Sequence, residues 1–176
     1  MLPSTAELKR VVFDQETIAE RVRELGQDIV AAYPDGELLV LGLLKGSFIF
    51  LSDLVRQIDR PLQVDFLVAS SYGESTVSSG NVRLVYDPET ELAGKHILLV
   101  EDIIDTEKTL NKLVALLRQR RPESLEICAL LHKHVAEHLE LEAKFVGFDA
   151  PTLFLVGYGL DHAENFRHLP YIASLT

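Results

Sequence analysis

The segment from Leu38 to Leu44 consists of leucine and valine interrupted only by Gly42. A run without polar alternation is typical of a strand buried on both faces, and such strands occur in parallel sheets that helices cover. Other short apolar runs follow, including Val82 to Tyr86, whose strand pairing the sequence leaves open. The sequence therefore favours an α/β fold with a mostly parallel sheet. Four further runs also indicate strands: Val64 to Ala69, His96 to Val100, Leu125 to Leu131 and Leu153 to Val156.

Between these runs, apolar residues recur at the spacing of one helix face. They predict a surface helix from Asp14 to Tyr33 with Asp14 as its N-cap, and a second amphipathic helix from Phe48 to Ile58. A third helix is expected to follow the acidic segment after Val100 and to end near Pro122. The positions that define the three faces are Ile18, Val22, Leu25 and Ile29; Phe48, Leu51, Val55 and Ile58; and Leu110, Leu113, Val114 and Leu117.

Length and charge limit the possible functions. The 176 residues suffice for one sizeable core, so we expect a single domain over residues 1–176. A formal net charge of −10 with scattered Lys and Arg argues against binding to nucleic acid. No apolar stretch approaches the roughly 20 residues that span a bilayer, and the lone Cys128, in an apolar run, indicates a buried thiol in a reducing compartment. We therefore expect a cytoplasmic protein without a membrane partner.

The polar segment from Glu101 to Thr109 lies between a predicted buried strand and a predicted helix, where ligands of open α/β sheets bind. The amides of a first helical turn lack intrahelical partners, and together with the hydroxyls of Thr106 and Thr109 they can hold a phosphate. The adjacent carboxylates of Glu101 and Asp102 suit the vicinal hydroxyls of a ribose, directly or through Mg²⁺. The alternative is that this segment only caps the helix and that its acids are solvated.

The same segment resembles the phosphoribosyl diphosphate loop of type I phosphoribosyltransferases, in which an apolar strand precedes two acids, two apolar residues, Asp-Thr, a variable residue and Xaa-Thr. The variable position is commonly glycine in that family and is Glu107 here, where a carboxylate faces the 5′-phosphate region unfavourably unless it points to solvent. The resemblance implies a mostly parallel central sheet flanked by helices, with a small hood built from the chain ends and a mobile loop.

Further stretches narrow the resemblance to the hypoxanthine-guanine phosphoribosyltransferases. Leu44 to Ser47 is similar to the first diphosphate loop of that family, in which the Leu-Lys peptide is typically cis, and Ser70 to Gly73 is similar to its mobile loop. Leu130 to Lys133 ends in the lysine that donates to the 6-oxo group of the purine. Phe154 to Arg167 carries the family's stacking, metal-binding and diphosphate-binding positions. Taken singly, these stretches also fit an ordinary helix entry, a polar loop, a solvated lysine and a core phenylalanine.

The resemblance implies a role for each matching residue. Asp105 would manage the proton of the purine and is the catalytic candidate. The phosphoribosyl diphosphate site would comprise Lys45, Gly46, Glu101, Asp102, Asp105, Thr106, Glu107, Lys108, Thr109 and Arg167; the mobile loop Ser71 and Tyr72; the purine site Lys133, Phe154, Leu155 and Asp161; and the Mg²⁺ site Asp161, Glu101 and Asp102.

The implied reaction is purine salvage, in which the 5-phosphoribosyl group passes from phosphoribosyl diphosphate to N9 of hypoxanthine or guanine and gives IMP or GMP. The resemblance also suggests a homodimer or homotetramer. Two alternatives stay open: a transferase for xanthine or another base, and a non-catalytic regulator that senses the phosphoribosyl donor. The second draws its support from Glu107, whereas the absence of an extra DNA-binding segment counts against it.

Overall fold

A computed structural model describes residues 8–71, 82–105, 107–135 and 138–175. Strands and helices alternate over the first third of the chain, one further helix lies among the later strands, and the described residues end in strands. The elements are β1 (Leu8–Phe13), α1 (Gln15–Ala32), β2 (Leu38–Leu44), α2 (Phe48–Val55), β3 (Gln63–Ser71), β4 (Val82–Tyr86), β5 (His96–Ile104), α3 (Glu107–Arg118), β6 (Ser124–His132), β7 (Phe145–Asp149), β8 (Leu155–Val156) and β9 (Ile172–Leu175).

The central sheet has six strands in the order β4-β3-β2-β5-β6-β7. Only β4 is antiparallel to its neighbour β3; the other pairs are parallel. Strand β2 is buried from Leu38 to Gly42, as its continuous apolar run predicts. The mostly parallel sheet is therefore confirmed, and the pairing of β4 that the sequence left open is antiparallel to β3.

Helices cover both faces of this sheet. Asp14 caps α1 through a hydrogen bond from the Thr17 N–H at 2.8 Å, as predicted. The buried faces of α1 and α2 pack with Leu98 and Val100 of β5 in one cluster, and the buried face of α3 packs with the alternate residues Ile97 and Leu99 in another. Adjacent side chains of a strand point to opposite faces, so one strand contributes to both clusters.

The predicted ends of α2 and β5 were wrong. Helix α2 ends at Val55, and Ile58 lies buried in the core on the turn that follows, so its apolar character reflected burial and not a further helical turn. Strand β5 continues through Ile104, four residues past the predicted end at Val100. Glu101 and Asp102 thus lie on the strand, not on a loop, and their backbones are fixed by the sheet.

A separate three-stranded sheet has the order β1-β9-β8 and joins the two ends of the chain. The β1–β9 and β8–β9 pairs are antiparallel. This sheet corresponds to the hood that the family resemblance implies. The run predicted from Leu153 begins as a strand only at Leu155, and it belongs to this small sheet.

Cys128 is fully buried in the core. Among the described residues, the longest and most apolar helices fall short of what a membrane crossing requires.

Candidate active site

Three parallel strands of the central sheet end at the same edge, and each is followed by a residue that the sequence singled out. Lys45 follows β2, Asp105 follows β5 and Lys133 follows β6. The register pairs Ile104 with His132, and the Lys133 N–H donates to the Ile104 carbonyl at 3.1 Å. The carboxyl edge of a parallel sheet is where ligands of this fold class bind, so the sheet itself brings these residues together.

Asp105 and Lys133 form a direct ion pair at this edge. The Lys133 Nζ lies 2.9 Å from Asp105 Oδ2, and the lysine side chain is only 13% exposed whereas the aspartate is 48% exposed. A mostly buried lysine held by its neighbour keeps few rotamers. The pair therefore presents one donor and one acceptor in a fixed arrangement.

Glu101 and Asp102 are consecutive carboxylates at the end of β5. Burial raises the pKa of Glu101 well above its ordinary value, and the Asp102 charge raises it further. Burial also raises the pKa of Asp102, although the Ile103 N–H donates to its Oδ1 at 2.8 Å. Each carboxylate is thus a place where a cation or a hydroxyl donor would lower the free energy of the charged form.

Gly46 lets the loop after β2 lie directly against this acidic pair. A Cβ at Gly46 would overlap the Asp102 Oδ2, and a Cβ at Gly159, which has φ +99°, would overlap the Gly46 carbonyl. The backbone of one loop thus packs on the backbone of another, which only glycines allow. The Leu44–Lys45 peptide bond before this contact is cis.

Arg167 and Lys45 line a pocket of about 330 Å³ beside this contact, together with Leu44, Phe48 and Glu164. The Arg167 guanidinium donates to the Gly159 carbonyl at 2.7 Å and lies 3.0 Å from Asp161 Oδ1. Those two contacts fix the guanidinium on the loop that follows β8. The pocket therefore carries two cations on separate loops, an arrangement that suits a phosphate or diphosphate.

Phe154 precedes β8 and is 53% exposed, with its ring edge-on to His162 at a centroid distance of 5.3 Å. The interpretation of Phe154 as an ordinary core residue is therefore wrong. Its neighbour Leu155 is buried. An exposed ring offers a flat face to a planar ligand.

Comparisons with known proteins decide the family. A model of the phosphoribosyl transferase domain matches residues 11–163. The chain is 45% identical over 169 residues to the hypoxanthine-guanine phosphoribosyltransferase of Bacillus subtilis (strain 168), covering 96% of this chain and 94% of that one. It is 47% identical over 171 residues to the protein of that name in Dictyostelium discoideum, covering 95% of each. The chain belongs to the hypoxanthine-guanine phosphoribosyltransferase family.

The fold comparison agrees with this membership. A hypoxanthine phosphoribosyltransferase from Staphylococcus aureus superposes with a TM-score of 0.92 at 41% identity, covering 97% of this chain and 93% of that one. The type I phosphoribosyltransferase fold predicted from the sequence motifs is thereby confirmed.

Some residues of the family's loops lie outside the described residues. Tyr72 and Thr106 are among them, and the side chains of Ser71 and Glu107 are not described either. Helix α3 begins at Glu107, so its first turn includes Lys108, which is exposed, and Thr109, which is partly buried. The backbone therefore places a helix N-terminus after β5, as the phosphate-cradle prediction requires.

Three carboxylates, Glu101, Asp102 and Asp161, are the candidates to hold a divalent metal. Asp161 lies close enough to Asp102 for its charge to raise the pKa of that residue, and the Asp102 charge in turn raises the pKa of Glu101. Among the described residues, no three His, Cys, Asp or Glu side chains are grouped so that they could hold a metal ion by themselves. The residues fit a hard cation that takes a few carboxylate oxygens and completes its shell with water and ligand phosphates, as Mg²⁺ does.

Sequence reasoning missed Glu164 as a residue of the pocket that Lys45 and Arg167 line. Its carboxylate Oε2 lies 3.0 Å from Lys45 Nζ, and its Oε1 lies 3.6 Å from Arg167 Nη2. The available signal was its position three residues before Arg167, but on an irregular segment that spacing does not show where a side chain points.

Proposed function

We propose that this protein transfers the 5-phosphoribosyl group from phosphoribosyl diphosphate to N9 of hypoxanthine or guanine. The new bond joins N9 to C1 of the ribose, the bond from C1 to the diphosphate oxygen breaks, and the purine loses one proton. The observation that carries the proposal is the 2.9 Å pair between Asp105 and Lys133 at the strand edge, which follows the buried Glu101 and the partly buried Asp102. This pair places a proton acceptor, Asp105, beside a hydrogen-bond donor for the 6-oxo group, Lys133.

The base would lie at the Asp105–Lys133 end of the site. Lys133 donates to the 6-oxo group, a contact that favours an oxopurine because the amino group of adenine offers no acceptor at that position. Phe154 stacks on the purine with its exposed ring, and Leu155 and Asp161 border the base. Asp105 accepts the proton that the purine loses.

The donor would span the remaining edge. Glu101 and Asp102 hold the ribose hydroxyls, and the backbone of the family's phosphate-binding segment, from Thr106 to Thr109, receives the 5′-phosphate where α3 begins. Lys45, the Gly46 backbone and Arg167 face the diphosphate. These contacts would offset the repulsion that a chain of net charge −10 exerts on a phosphorylated ligand.

Mg²⁺ fits this site through Asp161, with Glu101 and Asp102 nearby, and when bound it would neutralise charge on the diphosphate leaving group. The protein's own contribution is positional. The sheet edge aligns base and ribose, and Arg167 and Lys45 hold the leaving group. The prediction of a mobile loop with Ser71 and Tyr72 is corrected at Ser71, which ends β3 by pairing with β4, whereas Tyr72 lies outside the described residues; the segment after Ser71 would exclude water from a sugar with oxocarbenium character.

One assay tests the proposal against its alternatives. The protein is incubated with phosphoribosyl diphosphate, Mg²⁺ and, separately, hypoxanthine, guanine, xanthine, adenine or uracil, and the nucleotide formed is measured. We expect turnover with hypoxanthine and guanine. Preference for xanthine would overturn the role given to Lys133, and donor binding without turnover on any base would favour a regulator.

We further propose that the protein acts in the cytoplasm as a homodimer or homotetramer, without a nucleic-acid or membrane partner. Light scattering of the purified protein tests the assembly, and a monomer at micromolar concentration would contradict it.

A further inference from the structure

Glu164 has no role in the proposed reaction, yet its side chain lines the pocket assigned to the diphosphate. Its two carboxylate oxygens point to different cations. Oε2 lies 3.0 Å from Lys45 Nζ, and Oε1 lies 3.6 Å from Arg167 Nη2. Lys45 and Arg167 come from separate loops, so one carboxylate bridges the two groups that would otherwise receive phosphate oxygens.

The backbone of the loop after Leu160 aims Glu164 at this pocket. Ala163 and Glu164 both have a left-handed backbone, with φ of +51° and +63°, which non-glycine residues seldom adopt. The Glu164 N–H donates to Asp161 Oδ2 at 2.8 Å, and His162 and Asn165 exchange backbone hydrogen bonds around it at 3.0 and 3.2 Å. The position of Glu164 is therefore built into a tight turn, and its side chain does not reach the pocket by chance.

The contact is also easily broken. The side chains of Lys45 and Glu164 are 66% and 67% exposed, and exposed ion pairs contribute little to stability. Arg167, in contrast, keeps its contacts with the Gly159 carbonyl and Asp161 whether or not Glu164 stays in place. A multiply charged anion entering the pocket can thus displace Glu164 without moving Arg167.

We propose that Glu164 is an internal anion that occupies the diphosphate position until the donor arrives, and that it returns to help the diphosphate product leave. This inference rests on the proposed function. Before binding, the Glu164 carboxylate offsets the charges of Lys45 and Arg167. After binding, it repels the diphosphate, so it lowers the affinity for that anion and shortens its residence.

The test is calorimetric titration of the protein with inorganic diphosphate in buffer that contains Mg²⁺. Glu164→Gln keeps the shape of the side chain and removes its charge. Glu164→Gly also removes the carboxylate and suits the left-handed backbone, so it folds even if glutamine disturbs the turn. We expect both variants to bind diphosphate about three- to tenfold more tightly than the wild type. The difference in affinity should shrink as the salt concentration rises, because salt screens the charge of Glu164.

Glu37→Gln is the matched control, because Glu37 is 71% exposed and lies 3.6 Å from Lys95 Nζ at the opposite edge of the sheet. It changes the net charge equally, and its affinity for diphosphate should equal that of the wild type. Unchanged or weaker binding in both Glu164 variants would overturn the inference and would make Glu164 a residue that positions the cations. If the wild type itself bound no diphosphate, the proposed function would fail first, and the inference would fail with it.

Discussion

The two ends of the site are built differently. At the base end, Asp105 and Lys133 follow neighbouring strands, and the sheet register that pairs Ile104 with His132 sets their distance. At the diphosphate end, Lys45, Glu164 and Arg167 come from loops, and glycine contacts rather than ladder hydrogen bonds hold those loops together.

This difference has a physical consequence. A pair anchored on a sheet is preorganised, because each partner has few alternatives. Cations on loops would repel one another in the empty pocket, so the chain supplies its own carboxylate there. We therefore expect substitutions at the base end to change turnover and base choice, and substitutions at the diphosphate end to change anion affinity.

The largest effect should follow Asp105→Asn. Loss of the proton acceptor should lower turnover about 100-fold or more, because proton transfer contributes in the transition state. Affinity for phosphoribosyl diphosphate should change little. Steady-state kinetics with both substrates varied, alongside donor titration, checks this. Equal losses in turnover and donor affinity would show that Asp105 only shapes the loop.

Gly46→Ala should have the next largest effect, because it disturbs the diphosphate end of the site. The added Cβ overlaps the Asp102 carboxylate, so the loop must shift. We expect diphosphate affinity to fall about tenfold or more and the free energy of unfolding to fall by about 1–3 kcal/mol. Calorimetry and urea denaturation measure the two effects.

Gly94→Ala serves as the control for that substitution. Gly94 has a left-handed φ of +72°, and nothing lies within 4 Å of its Cβ position. The control should lose about 1–2 kcal/mol of stability from the backbone alone and keep its diphosphate affinity. If both variants lost affinity equally, the contact between Gly46 and Asp102 would have no special role.

A reciprocal pair of lysine substitutions sharpens the comparison, since each removes one positive charge. Lys133→Met should raise the KM for hypoxanthine about tenfold and reduce discrimination against adenine, with the donor constant nearly unchanged. Lys45→Met should raise the KM for phosphoribosyl diphosphate about fivefold and leave the KM for hypoxanthine unchanged. Should either variant change both constants together, the division of the site into two ends would be wrong.

The smallest effect is expected for Glu107→Gly, which restores the residue common in the family. If its carboxylate opposes the 5′-phosphate, donor binding should tighten about two- to fivefold. Glu107→Gln is the control, because it removes the charge and avoids the helix penalty of about 1 kcal/mol that glycine carries. Titration with phosphoribosyl diphosphate measures both, and unchanged affinity would mean that the carboxylate points away.

Local sequence patterns predicted much of the fold. The continuous apolar run of β2 and the helical spacing of α1 each define an element from neighbouring residues alone, and their bounds hold to within a residue or two. Strands β1, β7 and β9 were missed. The first and last of these pair with each other across nearly the whole chain, and no local period carries that information.

The strand that carries Glu101 and Asp102 is a second case in which local sequence did not predict the structure. Polar residues after an apolar run indicate a loop, but hydrogen bonds to β6 extend β5 through Ile104. Pairing with a neighbour outweighed the polar character of these residues. Glu101 is consequently buried and Asp102 partly buried, and that burial raises the pKa of each.

The sequence by itself determined which chemical groups are present and in what order, because motifs such as Glu101 to Thr109 are contiguous in the chain. Only the tertiary structure decided which groups meet. Lys45 and Glu164 are 119 residues apart in sequence and 3.0 Å apart in space. Such a contact depends on how the loops after β2 and β8 pack, and packing follows from the whole core, not from any segment of it.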